Sequence, residues 1–245
     1  MSGRSGTLRY CQAGLALLAV TVPAAGCARA ASAPSAAAPA VTQTRAQASL
    51  PAPAGTAPAA VPAAGLGQVR WVTYQGITVP VSPAGPRETA GGLARGYART
   101  PGGAVMAAVN ITLRAQAEWG PRVFTPVIQD QFTGPARAAL LAATRAAYQQ
   151  ARAAQQVADG DSLGMVTAAQ VAYRVTAYTP DTAAVTVVTA FPGQAGGVGY
   201  AATALHLAWA PGGWKIIAPP GGNWAPLVTA VTSLASYAVF PGAPQ

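Results

Sequence analysis

Cysteine is almost missing from this chain: among 245 residues there are two, Cys11 and Cys27, and both precede the stretch that reads as folded. A folded region without a thiol excludes disulfides, cysteine-held metal and thiol redox chemistry there. Charge is scarce too. Charged residues make up 9% of the chain, with six acids and a single histidine, His206. That leaves few groups for paired acid–base work. Asp159-Gly160-Asp161 is too short a run of oxygen ligands for a calcium loop, so no metal and no other cofactor is expected. No GxSxG, SxxK, HExxH, GxxxxGK or CxxC pattern is read in the chain.

What the chain does have is an export layout. Arg4 and Arg9 precede an apolar run from Ala13 to Val22, followed by Pro23-Ala24-Ala25-Gly26-Cys27. The run is too short to span a bilayer core of about 30 Å as a helix, and it fits a secretory signal. Small residues directly before Cys27 point to lipoprotein processing, with residues 1–26 as signal peptide and Cys27 as the diacylated first residue. The place three before the cysteine holds Ala24, where Leu is favoured. The chain is therefore expected on the outer face of the cell membrane, lipid-anchored. The alternative is a cut after Ala28-Arg29-Ala30, which would secrete it.

Residues 28–68 are mostly Ala, Pro, Ser, Gln, Thr and Gly, with only Arg29 and Arg45 charged. Too few large apolar side chains are present to offset the entropy of ordering such a segment. Residues 27–68 thus read as a semi-stiff, disordered stalk. All five tryptophans lie at or after Trp71, and residues 69–245 read as one domain. From Val69 onward eleven basic residues stand against six acids. Arg137, Arg145 and Arg152 recur at helical spacing between Pro135 and Val157, either as a solvated face or as a contact surface for an anionic membrane, a cell-wall polymer or a partner. Nucleic acid is not expected, because no Lys-rich tract or recognition motif is present. Trp119 and Trp224, beside glycine and proline, are the tryptophans expected to face a partner.

Periodicity gives the elements. Val69–Tyr74 and Ile77–Pro80 flank Gln75-Gly76 as a strand pair. Thr100 caps a helix with Pro101 at its first position, running to Glu118 and stopped by Gly120-Pro121. A second helix covers Pro135 to about Asp159, its apolar residues Leu140, Leu141, Tyr148 and Val157 opposing the arginines. Four antiparallel strands follow: Gln170–Ala177, Ala183–Phe191, Tyr200–Ala210 and Trp214–Ile217. This is an α+β class, helices packed on a curved antiparallel sheet that wraps the longest helix.

The close of the chain, Leu207-Ala208-Trp209 and Gly213-Trp214-Lys215-Ile216, resembles the cone of nuclear-transport-factor-2-like (cystatin-like) domains. Trp71, Ile77 to Pro80, Gly85-Pro86, Gly96 to Val105 and Trp119-Gly120-Pro121 resemble an uncharacterised domain family of actinobacterial conjugative and integrative elements. That family is similar to extracytoplasmic scaffold proteins of conjugation and type IV secretion. The resemblance implies a non-catalytic scaffold that docks other proteins of a membrane complex or copies of itself. The scaffolds cross the membrane once, whereas this chain carries a lipoprotein-like signal. Two alternatives stand beside it, a small-ligand-binding lipoprotein and a cone-fold isomerase or hydrolase. The latter would draw on Tyr173, Tyr200, His206, Asp130 and Glu118.

Overall fold

One helix sits at the centre of everything else. In the computed structural model, which describes residues 65–164, 168–193 and 197–244, helix α1 (Pro101–Arg114) has twelve of its fourteen residues buried. The run GGAVMAAVNI presents small and apolar side chains on every side, so no face needs water. Thr100 caps it through Oγ1, which accepts from the Gly103 amide at 3.1 Å, with Pro101 behind it as expected. A Cβ on Gly102 would overlap the Gly65 carbonyl, and one on Gly103 would overlap the Ala98 carbonyl. Only glycine lets the first turn approach backbone this closely.

Around α1 lie two further helices and two sheets. Strands β1 (Arg70–Tyr74) and β2 (Ile77–Val81) form a separate antiparallel hairpin, its turn at Gln75-Gly76 taking positive φ at both residues. Helix α2 (Pro121–Gln131) runs into the two-residue strand β3 (Phe132–Thr133), and α3 (Arg137–Gln155) follows. Strands β4 (Ala169–Tyr178), β5 (Thr182–Pro192), β6 (Val198–Ala210) and β7 (Gly213–Ile217) form an antiparallel meander. β3 adds in parallel to β7, β8 (Val228–Val231) pairs with β6, and β9 (Ala238–Val239) pairs with β4. Register shifts at Gln170/Ala172 and Val175/Ala177 bulge β4 and curve a sheet that does not close. The class is α+β, as expected.

Several expectations need correction. The described residues hold three α-helices, because Gly120-Pro121 both follows a short helical turn (Ala117–Trp119) and opens α2 with Pro121 at its first position. The sheet wraps α1 and not the longest helix, α3, where only Leu140 and Tyr148 are buried. The apolar side chains of α3 do not oppose its arginines. At about 100° per residue, Arg137, Arg145 and Arg152 fall within one quadrant and Tyr148 falls among them. The outward face is alanine, at Ala138, Ala142, Ala143 and Ala146. Packing also reaches back beyond Val69, since Leu66 joins the core at 4% exposure, inside the segment read as stalk.

Replacing Gly103 by Ala is expected to cost about 3 kcal/mol or more, or to prevent folding, because the clash is with backbone and cannot be relieved by a rotamer. Urea denaturation followed by circular dichroism checks this, with the exposed Ala142→Ser as the control within 0.5 kcal/mol.

Candidate functional site

The segment Gly96 to Val105, which carries much of the family resemblance, is the hub from which candidate sites are built. Gly96 adopts φ 75° against the Arg87 side chain, and Ala98 donates to the Ala84 carbonyl at 2.9 Å. The Ala98 carbonyl accepts from Trp214 Nε1 at 2.9 Å. Arg99 pairs with Asp181, donates through Nε to the Pro180 carbonyl at 2.9 Å and lies 5.3 Å from the Trp209 ring centroid. Tyr178 donates its hydroxyl to the Arg99 carbonyl at 2.9 Å, and Trp209 meets Trp214 edge-on at 5.3 Å. The motif thus ties the start of α1 to the β4–β5 and β6–β7 turns of the meander, which is a structural task.

A second cluster is buried beneath the hairpin. Arg114, 2% exposed, donates through Nη1 to Asn110 Oδ1 at 2.8 Å and to the Asn110 carbonyl at 3.1 Å, and its guanidinium lies 4.2 Å from the Tyr74 ring centroid. Asn110 in turn donates to the Pro80 carbonyl at 3.2 Å. Burial lowers the affinity of Arg114 for its proton. Tyr97 is buried with its hydroxyl unpartnered among the described residues, and desolvation pushes that phenol well above its usual range, partly offset by the Arg114 charge. No carboxylate of the described residues pairs with Arg114. The cation is held by an amide and an aromatic face, and it clamps α1 to the hairpin.

The residues expected to face a partner divide. Trp119 does not face outward: it is 3% exposed, donates through Nε1 to the Leu113 carbonyl at 2.6 Å and packs edge-on against Tyr74. The glycine and proline beside it mark a tight turn that folds the indole inward. Trp224 is half-buried against Phe132 at 6.3 Å. Arg137 is exposed and donates to the Gln129 carbonyl at 3.0 Å, and Arg145 is exposed. Arg152 is drawn into the end of α3, 3.3 Å from Asp159 and 2.6 Å from Gln149. Cys27 lies outside the described residues.

The catalytic candidates do not converge. Tyr173 stacks on Phe240 at 4.8 Å in the core, where burial raises its phenol, while Tyr200 packs in a cluster on the opposite sheet face. His206 is exposed on that face, Asp130 is exposed and paired with Arg95 at 2.8 Å, and Glu118 is half-buried beside Trp119. One chemistry-bearing spacing went unread in the sequence: Gly160-Asp161-Ser162-Leu163-Gly164 has the G-x-S-x-G form. Its context is not that of a nucleophile elbow, which needs a strand-to-helix turn and a histidine. Ser162 follows α3 in a loop, donates Oγ to the Glu118 carbonyl at 2.9 Å, and lies on the helical side, away from His206.

This α+β domain, with its buried central helix and motif hub, is matched over residues 29–239 by the family model described as Domain of unknown function (DUF8175). The chain belongs to that family. No curated protein and no solved structure matches it.

Trp119→Ala is expected to cost about 3–5 kcal/mol in denaturant unfolding, the magnitude of a core aromatic and not of a surface anchor. Tyr97→Phe is expected to raise stability by about 1 kcal/mol, because it removes a buried unpartnered hydroxyl. The sign with pH is fixed: the unfolded chain releases the Tyr97 proton near pH 10 and the folded one holds it, so the native chain loses stability as pH rises past about 10 and Tyr97→Phe does not lose this part. Unfolding free energies from pH 8 to 11 should therefore fall less steeply for Tyr97→Phe than for the native chain.

Proposed function

We propose that this chain is an exported, lipid-anchored protein whose folded domain binds other proteins without catalysis, as an accessory scaffold of a conjugative transfer or secretion apparatus. The observation that carries the reading is the division of labour along the sequence. A signal layout ends at Cys27, a Pro/Ala-rich stretch follows, and Leu66 onward contributes to a packed core. No helix of the described residues is long and apolar enough to cross a membrane, and in this reading attachment is through Cys27. Non-catalytic work is supported by the scatter of the acid–base groups: five of the six carboxylates are exposed, Glu118 is half-buried, and none shares a site with His206. The nuclear-transport-factor-2-like cone and the conjugation context rest on the sequence resemblance.

The test is fractionation of the native host with mass spectrometry of the mature N-terminus. Diacylglycerol on Cys27 in the membrane fraction, with Cys27→Ala released to the medium, is the expected result. A free N-terminus near Ala31 in the medium overturns the anchor and favours a secreted protein.

A further inference from the structure

The sheet face turned away from the helices is only half covered. The row Ala172, Val188 and Ala202 lies in a cluster packed by Leu234 and Tyr237, from the segment that crosses between β8, beside β6, and β9, beside β4. The other half is open, and its make-up follows from the pairing. Leu205 and Leu207 of β6, Val185 and Val187 of β5, Tyr173 and Val175 of β4, and Trp214 and Ile216 of β7 all belong to the core beneath the helices. Their alternates therefore point the other way.

Register places Arg174 opposite Thr186 and Thr186 opposite Ala204; one step on, Ala184 stands opposite His206, and then Ala208 opposite Lys215. Directly opposed residues share a face at about 5 Å. The chain's one lysine, its one histidine and Arg174 thus stand among half-buried Ala184, Ala204 and Ala208, with Thr186 buried between Arg174 and Ala204. His206 is exposed, Lys215 half-buried, and Arg174, also half-buried, rests 5.0 Å from the Tyr237 ring centroid at the border of the covered half, its Nε buried and unpartnered among the described residues.

No side-chain carboxylate of the described residues pairs with these groups. Five of the six acids lie on segments around the helices, and Asp181, in the β4–β5 turn, is held by Arg99. The surface between the cations is one of methyl groups, low enough for another backbone to approach, and Ile217 adds an exposed aliphatic side chain on β7. The cations stand within the sheet plane and not on protruding loop tips, which suits a polypeptide better than a lipid surface.

We propose that this open half of the sheet face binds an acidic polypeptide segment of a partner protein, Lys215, Arg174 and His206 pairing with its carboxylates over Ala184, Ala204 and Ala208. The proposal rests on the protein-binding reading above and names its surface and the chemistry of its partner. Complementary charge of this kind sets specificity and encounter rate and weakens with salt.

The experiment uses the full chain and a fluorescein-labelled 12-residue peptide alternating Glu and Ala, followed by fluorescence polarisation at low and high salt. Lys215→Glu is the test variant, and Arg145→Glu on α3 is the equal charge reversal elsewhere, with thermal melts confirming that both fold. The expected result is salt-sensitive peptide binding weakened about tenfold by Lys215→Glu and within twofold of native for Arg145→Glu. Absence of binding, or equal loss in both variants, overturns the surface. Lys215-dependent binding to phosphatidylglycerol vesicles in place of the peptide overturns it in favour of a membrane. Fractionation of the native strain separates the two readings, since a native chain that is anchored through Cys27 and does not bind the peptide removes this surface and leaves the lipoprotein reading standing.

Discussion

Everything in this fold depends on how closely backbone can approach the first turn of α1. Gly102 faces the Gly65 carbonyl and Gly103 the Ala98 carbonyl, with no room for a side chain at either. That approach lets the helix enter the middle of the domain, where it meets the sheet, α2 and the hairpin at once. A helix so placed must be apolar all round, and the sequence from Ala104 to Val109 is. Where polarity returns, at Asn110 and Arg114, the groups bond to each other, to the Pro80 carbonyl and to the face of Tyr74. Without a carboxylate, the buried guanidinium is held by the Nη1 bonds to Asn110 on one side and the aromatic quadrupole of Tyr74 on the other, its Nε staying unpartnered among the described residues.

The resemblance-bearing motif has the same physical root. Gly96, Ala98, Thr100, Gly102 and Gly103 are each explained by backbone geometry, capping or packing. Arg99 joins them by holding the β4–β5 turn through Asp181 and Pro180. In this chain each residue of the motif has a structural task. Functional differences among members of such a family belong on the surfaces the motif does not touch.

How much of this was legible in the sequence follows from length and period. The hairpin, the cap of α1 and the four strands of the meander announce themselves, because alternation over several residues or a turn of two defines them. The strands β3, β8 and β9, of two to four residues, carry no readable period and exist only through their partners. Helix α2 was hidden by Gly120-Pro121, whose residues end one helix and begin the next, and by Pro126 within it. Trp119 was misplaced for a related reason: glycine and proline beside an indole were read as an exposed loop, whereas they form the turn that buries it. The arginines of α3 stood out because they recur along one helix. Arg174, His206 and Lys215 are scattered over three strands, and only strand pairing makes them neighbours.

The closing segment of the domain has a mechanical consequence. Phe240 is buried against Trp71 and Tyr173, and Trp71 Nε1 donates to the Pro241 carbonyl at 2.8 Å, so the last part of the fold is latched onto its first strand. Just before that strand, Leu66 sits in the core and Gly65 lies against the start of α1. Tension entering from the N-terminal side therefore meets, within a few residues, both the latch and the first turn of the central helix. Strain along the chain is taken up by the interior and is not dissipated in a peripheral strand. A domain built this way yields to pulling as a whole or not at all.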